Sequence, residues 1–346
     1  MKLTEEQKNV IKNLIKFKKN IQTLSGYAGT GKSCVVQHLS QLLPNFAVCA
    51  YTGKAVNTLR KKKIDAKTIH STIYTSRKDR DGNVYFTLNS FVDCEGFIID
   101  EASMVSGKIY DDLLVYNKPI IFVGDHGQLE PIEDKFNIME DPDFCLEKIH
   151  RNAGEIAHFA EFIRNGYKPK AWQNRNGYSD KIKFISKYNY KEVLTKVDQI
   201  ICAYNKTRKK LNTETRELLG REGELPQIND KIICLRNNSK KGLFNGMQGK
   251  IGWFVTKNII DFVTDVEILQ VNLDLSMFNK IKYEINGDRD HPDPFDYAYA
   301  ITCHKSISDQ FDSILVMEQK CNLWNHRRWA YTAATRAEKK IYWCAE

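Results

Sequence analysis

Eight residues, Gly26-Tyr27-Ala28-Gly29-Thr30-Gly31-Lys32-Ser33, constrain this chain more than any other stretch. They fit Gly-x4-Gly-Lys-Ser/Thr, a loop that functions between a strand and a helix. Its backbone N–H groups turn toward phosphate oxygens and the helix N-terminus adds partial positive charge. The flanks agree: Asn20 to Ser25 is a short strand candidate, and Cys34 to Leu43 reads as a helix stopped by Pro44. Gly26, Gly29 and Gly31 let the backbone curl around Thr30. Lys32 is placed to reach the β- and γ-phosphates, and the Ser33 hydroxyl to hold magnesium. The ligands expected are therefore ATP and Mg2+.

A chain of 346 residues is expected to make two or more domains. Its 42% apolar content contains no run long enough to span a membrane. Met1-Lys2-Leu3-Thr4-Glu5-Glu6 lacks an apolar signal core, so secretion is not expected. The net charge of +9 favours a polyanionic partner. Nine cysteines, scattered singly and without a Cys-x-x-Cys pair, argue against a disulfide framework and a zinc site, and for a cytosolic protein with reduced thiols.

Residues 5 to about 19 put Val10, Ile11, Leu14, Ile15 and Phe17 on one helical face. Thr4 and Gln7 have capping-box spacing; Gln7 is either the partner in that box or the reader of an adenine edge. Phe46 to Tyr51 is a buried strand that empties into Thr52-Gly53-Lys54 and a helix, with Thr68-Ile69-His70-Ser71 beyond. Loops after strands of an open α/β sheet face the ligand side, so Thr52, Gly53, Lys54 and His70 are candidates to touch a phosphodiester backbone, whereas Lys61-Lys62-Lys63 reads as a solvated face. Residues 72–92 read as an inserted β-hairpin with an Asp81-Gly82 tip. Gly96 to Ser103 is a strand ending in two acids, expected to lie beside the phosphate loop: Asp100 would bind magnesium and Glu101 would polarise the attacking water. A further strand, Pro119 to Val123, ends in Gly124-Asp125-His126-Gly127-Gln128, where Gln128 is a γ-phosphate sensor candidate. Arg151 is either a surface residue or an arginine finger from a second lobe.

The order Gln7, GYAGTGKS, TGKAVNTL, TIHS, IIDEAS, VGDHGQLEP, IHRN resembles the superfamily 1 helicases, and most the 5′-to-3′ branch with the RecD-like and Dda-like enzymes. The likeness continues in Ile200 to Asn205 with Arg208 and Asn212, and in Asp230 to Asn237, similar to the family's approach to a small SH3-like barrel. Residues 250–285 show strand patterns at Ile251 to Val255, Leu269 to Leu275 and Ile281 to Ile285. Tyr297 to Ser306 looks like motif V. The family then reads Gln-Gly-Ser-Glu-Phe-Asp, where this chain has Ile307-Ser308-Asp309-Gln310-Phe311-Asp312, so Gln310 stands where the family's glutamate suggests a ribose contact. Trp329 to Ala337 looks like motif VI, with Arg336 as second arginine finger.

The resemblance implies an α/β fold of two RecA-like parallel-sheet motor domains with an inserted β-hairpin and an inserted SH3-like β module. The expected bounds are 1–150 for the first motor domain, 151–238 with 291–346 for the second, and 239–290 for the module. It implies an ATP-dependent DNA helicase that moves 5′ to 3′ on single-stranded DNA and unwinds forked duplex, with roles in replication, repair or recombination. Thr52, Lys54 and His70 would hold DNA on one side and Thr302, His304 and Lys305 on the other. The alternative is a single-strand-stimulated translocase that separates no strands. Within the hairpin, one of Tyr85 and Phe86 would anchor while the other stacks on a base, the plain reading being a surface hairpin. A monomer in a bacterial or phage-infected cytoplasm is expected, with a single-strand-binding or replication protein as partner and no membrane.

Overall fold

The computed structural model describes residues 3–78, 84–129, 136–148, 154–238, 241–265, 267–283, 292–320, 322 and 324–345. The chain forms two units, residues 1–157 and 158–346, so the division falls a few residues beyond the expected 150. No described helix is long and apolar enough to cross a membrane.

In the first unit come α1 (Glu5–Leu14), β1 (Ile21–Gly26), α2 (Lys32–Leu42), β2 (Phe46–Ala50), α3 (Gly53–Lys61), β3 (Ala66–Thr68) and α4 (Ile69–Ile73). There follow β4 (Tyr74–Lys78), β5 (Val84–Leu88), β6 (Gly96–Asp100), α5 (Gly107–Leu114), β7 (Ile120–Gly124) and β8 (Phe144–Leu146). Six strands make one sheet in the order β3-β2-β6-β7-β1-β8, with every pairing parallel. Such a sheet needs cover on both faces, which explains the unbroken apolar runs of β6 and β7. One face is packed by Leu14, Val36, Leu39 and Val56 of α1, α2 and α3. The other is packed by Ile73, Ile109 and Leu113 around Phe97 and Phe122.

The acid-bearing strand β6 was expected beside the phosphate loop, but β7 runs between β6 and β1. The interposed strand brings its own polar loop between the phosphate loop and the acids. The helix expected over residues 5–19 ends at Leu14, and Phe17 turns back at φ 45°. β4 and β5 pair antiparallel from Tyr74↔Leu88 to Lys78↔Val84, as the alternation predicted. The Asp81-Gly82 tip and the Tyr85 side chain lie outside the described residues.

The second unit takes up α6 (Gly154–Arg164), within which the division falls, then α7 (Ala171–Asn176), β9 (Ile182–Ile185), β10 (Gln199–Cys202), α8 (Asn205–Leu218) and β11 (Lys231–Cys234). After these come β12 (Gln248–Phe254), β13 (Ile259–Val263), β14 (Ile268–Asn272), β15 (Phe295–Tyr297), β16 (Ala300–Thr302), β17 (Phe311–Met317), α9 (His326–Ala334) and β18 (Ala337–Cys344). Its main sheet, β16-β10-β17-β18-β9, is wholly parallel. A second sheet, β14-β13-β12-β11-β15, is wholly antiparallel and has its own core around Ile251, Phe262 and Phe295.

That antiparallel sheet reaches beyond the expected 239–290, because β11 and β15 pair with each other. Ile281 to Tyr283 is not a strand, and the strand that the pattern missed is β13. Tyr283 instead sends its hydroxyl to Asp296, and the Arg208 guanidinium lies over its ring at 5.1 Å. Helix α8 fastens this sheet at both crossings. Arg208 pairs with buried Asp296 in β15. Two turns on, Arg216 pairs with buried Asp230, just ahead of β11, at 3.1 Å. Asp230 also takes Arg221 at 2.9 Å and the Tyr299 hydroxyl at 2.9 Å. Asn212, between the two arginines, reads the β15–β16 junction through Tyr297 O, Ala300 O and Ala300 N.

The loop after β16 is where the sequence departs from the family pattern. Ser308, in place of the family's glycine, has φ 72°, and its hydroxyl is buried without a partner. A left-handed residue bearing a Cβ is strained by about 1–2 kcal/mol, and a buried unpaired hydroxyl adds about 1 kcal/mol. Glycine returns about 0.5–1 kcal/mol as chain entropy. Ser308→Gly should therefore raise the thermal midpoint of the unit that contains it, whereas Ser308→Ala, which keeps the Cβ, should gain less. A lower midpoint for the glycine variant would show that the serine is not strained.

Candidate nucleotide site and polynucleotide face

The phosphate loop leaves β1 at Gly26 and enters α2 at Lys32. Gly29 and Gly31 hold φ 82° and 85°, values open to glycine at little cost. A methyl on Gly26 would sit 2.6 Å from Thr30 Oγ1. Buried Thr30 closes the turn by donating from Oγ1 to the Tyr27 carbonyl at 2.8 Å. No side chain caps α2, so its first N–H groups stay available to an anion. The Lys32 ammonium folds over the loop, donating to Gly26 O at 2.5 Å and Tyr27 O at 3.2 Å, with Asp125 Oδ2 3.9 Å away.

Asp100 ends β6. Burial, and next the adjacent Glu101 carboxylate, push its pKa up to about 7, against the pull of the Glu101 N–H and Lys32. Glu101 is itself left-handed, at φ 54°, and its Oε2 is buried without a partner. Such strain is found where surrounding structure over-determines a functional position. After β7, Gln128 is 5% exposed; its Nε2 donates to Asp125 Oδ2 at 3.4 Å, while Oε1 has no partner. The phosphate loop, both acids and Gln128 thus share the C-terminal edge of β1, β7 and β6.

Two residues here, Asp125 and His126, were not singled out from the sequence. Asp125, fully buried, supports Gln128 and accepts the Gly127 N–H at 2.9 Å. The His126 ring is bonded on one side to the Ser25 hydroxyl and on the other, at 2.6 Å, to the Tyr27 hydroxyl, which ties the β7 loop to the phosphate loop. Asp125 was signalled by Gly-Asp after an apolar strand, but a contact between residues 25 and 126 has no local signature. Gln7 completes its capping box with Thr4 and donates from Nε2 to Thr30 O at 3.0 Å. With its amide engaged at both ends, it supports the loop.

Along the same edge, β2 and β3 deliver the polynucleotide candidates. Thr52 caps α3 by accepting the Ala55 N–H at 3.1 Å, placing Gly53 and Lys54 in the first turn. Burial lowers the His70 pKa, and its ring packs with Tyr51 at 5.9 Å, Tyr74 at 5.5 Å and Phe86 at 6.5 Å. Phe86 nonetheless remains 55% exposed. In the second unit Thr302 ends β16. Burial pushes His304 down to about 4 and also lowers Lys305, whose ammonium bonds Asn245 Oδ1. Burial therefore favours the uncharged ring in both histidines. Arg336 is 5% exposed and tied to Thr332 O at 3.0 Å, Thr335 Oγ1 at 2.8 Å and the carbonyls of Ser306 and Asp309. Gln310 is exposed. Arg151 lies outside the described residues.

Residues 2–183, more than half of the chain, match the family described as AAA domain, and residues 297–343 match the UvrD-like helicase C-terminal domain. The chain is 32% identical to the ATP-dependent DNA helicase Dda of Enterobacteria phage T4, over 47% of this chain and 43% of Dda. It is 26% identical to the conjugal transfer protein TraA of Agrobacterium fabrum, over 98% of this chain and 32% of TraA. It spans less than half the length of the curated relatives it matches. Among solved structures, a Bacteroides Pif1 bound to single-stranded DNA superposes with a TM-score of 0.64 at 21% identity, covering 100% of this chain and 92% of that one, a likeness of fold. The chain belongs to the AAA-domain family and, with its UvrD-like helicase C-terminal segment, to the superfamily 1 helicases.

Proposed function

We propose that the chain is an ATP-dependent DNA helicase that travels 5′ to 3′ on single-stranded DNA and separates duplex at a fork. The observation that carries this is the convergence, at one sheet edge, of an uncapped phosphate loop with two adjacent carboxylates and a buried amide oxygen that has no partner. Dda, described as an ATP-dependent DNA helicase, and Pif1, solved with single-stranded DNA, support the substrate class.

The residues fit magnesium. Asp100 and Glu101 crowd two carboxyls together, so a cation held by Asp100 and the Ser33 hydroxyl would restore the ionised form that burial disfavours. A bound magnesium nucleotide supplies the phosphoanhydride bond that is hydrolysed. Around it, the α2 N–H groups bind phosphate oxygens, and Lys32 turns from the loop carbonyls to the β- and γ-oxygens. Glu101 orients a water and takes its proton, and Gln128, steadied by Asp125, senses the terminal phosphate. Arg151 and Arg336 are assigned to neutralise charge that develops there, and Gln310 to the ribose. Glu101→Gln should retain nucleotide binding while turnover falls about 10²- to 10⁴-fold, the range for loss of a general base. Hydrolysis at the parent rate by this variant would remove Glu101 from the role.

DNA contacts are assigned to Thr52, Gly53, Lys54 and His70 in the first unit and to Thr302, His304 and Lys305 in the second. Phosphate contacts of this kind fix register and carry no sequence information. Duplexes bearing a 5′ tail should be unwound and those bearing only a 3′ tail should not, as read by strand displacement. Unwinding from the 3′ tail alone would reverse the polarity. ATP hydrolysis stimulated by single strands without release of any strand would reduce the protein to a translocase.

We assign the antiparallel sheet β14-β13-β12-β11-β15 to the place of the family's SH3-like module and propose the β4–β5 hairpin as the wedge. Phe86 touches His70 and Tyr74 at the hairpin base yet stays half exposed, which suits a ring anchored on one side and free to meet a base on the other. Replacing residues 77–86 by a short Gly-Ser turn should spare DNA-stimulated hydrolysis and abolish strand separation. Unwinding that survives in the folded variant would place the wedge elsewhere.

A further inference from the structure

Three neighbouring strands of the second unit's parallel sheet each send one aromatic ring to the same end. Sheet order β16-β10-β17 makes their C-terminal loops neighbours. His304 follows β16, Tyr204 follows β10 and opens α8, and Trp324 lies between β17 and α9. Trp324 joins them: its ring centroid is 5.7 Å from that of Tyr204, tilted by 41°, and 5.5 Å from that of His304, at 66°. The Tyr204 hydroxyl donates to the Lys320 carbonyl at 2.7 Å, which fixes the orientation of the ring. That ring is still 37% exposed.

The cluster is poorly explained as core. None of the three residues is among the buried hydrophobic side chains of the unit. The Trp324 indole Nε1 is buried with no acceptor, a cost that a phenylalanine filling the same space would avoid. The cluster itself carries little charge. Burial drives the His304 imidazole toward its neutral form, and the neighbouring Lys305 ammonium donates to Asn245 Oδ1 with further N–H groups left for a phosphate. What remains is ring surface at the edge of a parallel sheet where ligands bind. Flat aromatic surface of this kind accepts any base, because every base presents a π-face.

We propose that Tyr204, Trp324 and His304 form a stacking shelf for a nucleobase of the single strand, with Trp324 and Tyr204 as binding residues that add to the phosphate contacts. This rests on the reading of the chain as a motor on single-stranded DNA. A shelf that holds the base makes the second unit's grip depend on base surface and little on salt, whereas phosphate contacts weaken as counterions compete.

The test is equilibrium binding of a fluorescently labelled oligothymidylate to the full chain, followed by anisotropy. It uses the intact strand and a set of strands with one abasic site stepped along the sequence. The parent should lose about tenfold in affinity when the abasic site reaches the shelf, within the range known for loss of one stacked base. Trp324→Ala should lose about tenfold on the intact strand and become indifferent to where the abasic site lies. Trp324→Phe should recover most of the affinity. Tyr204→Ala, a change at a partly exposed ring, should act in the same direction and stands in if Trp324→Ala does not fold. The slope of log K against log salt should match the parent in every variant, since no phosphate contact is removed. A folded Trp324→Ala or Tyr204→Ala that binds like the parent, or that loses affinity equally at every abasic position, overturns the shelf and leaves the motor reading intact. A parent chain that binds no single strand overturns the motor reading itself.

Discussion

Two adjacent carboxylates in a poorly hydrated place need positive charge close by, and the first unit is arranged around that constraint. Asp100 and Glu101 leave β6 together, Asp100 is held well above the ordinary carboxylate range, and Glu101 is kept in a backbone region that side chains with a Cβ avoid. Lys32, the cation that pulls most on Asp100, is turned largely toward the carbonyls of its own loop. On the proposed reading, a magnesium nucleotide would relieve both conditions, drawing the lysine onto phosphate and giving the carboxylates a counter-ion. The sheet order makes this possible. With β7 between β1 and β6, Asp125 and Gln128 stand between phosphate loop and acids, and the His126 bridge to Ser25 and Tyr27 fixes their spacing.

The polynucleotide face follows different physics. Burial lowers the pKa of His70 and of His304, each among other aromatics, so on the proposed reading they would offer ring surface and hydrogen bonding more than charge. The net charge of +9 is then a property of the whole chain that draws a polyanion toward it. On the proposed reading, local grip would be divided between Lys54 and Lys305, the first turn of α3, backbone groups and rings.

In the second unit the antiparallel sheet is not loosely appended. Arg208–Asp296 and Arg216–Asp230 lie at its two crossings with the motor sheet, buried and hydrogen-bonded on several sides. Removing one partner of such a pair costs about 3–5 kcal/mol, because the other charge is left buried alone. Two arginines two turns apart on one helix, one meeting Asp230 and the other the sequence-distant Asp296, hold α8, β11 and β15 in a single arrangement.

The phosphate loop, the acids after β6, the capping box of α1 and the hairpin pairing could be read from the sequence, because each depends on residues within a few positions of one another and on side-chain periodicity. Loop glycines declare a backbone that must curl, and an apolar run ending in Asp-Glu declares a buried strand with a polar mouth. Other features are products of tertiary structure alone: β7 between β1 and β6, the reach of the antiparallel sheet out to β11 and β15, the lowering of both histidine pKa values by burial, and the meeting of Tyr204, His304 and Trp324. Strand order and pairing join segments far apart in the chain, and burial, which sets charge states, depends on everything packed around a group. The sequence by itself determined which residues can do phosphate chemistry and roughly where the strands lie. Only the folded chain decided which side chains face one another and which of them keep their charge, because both are set by contacts between residues that have no local relation.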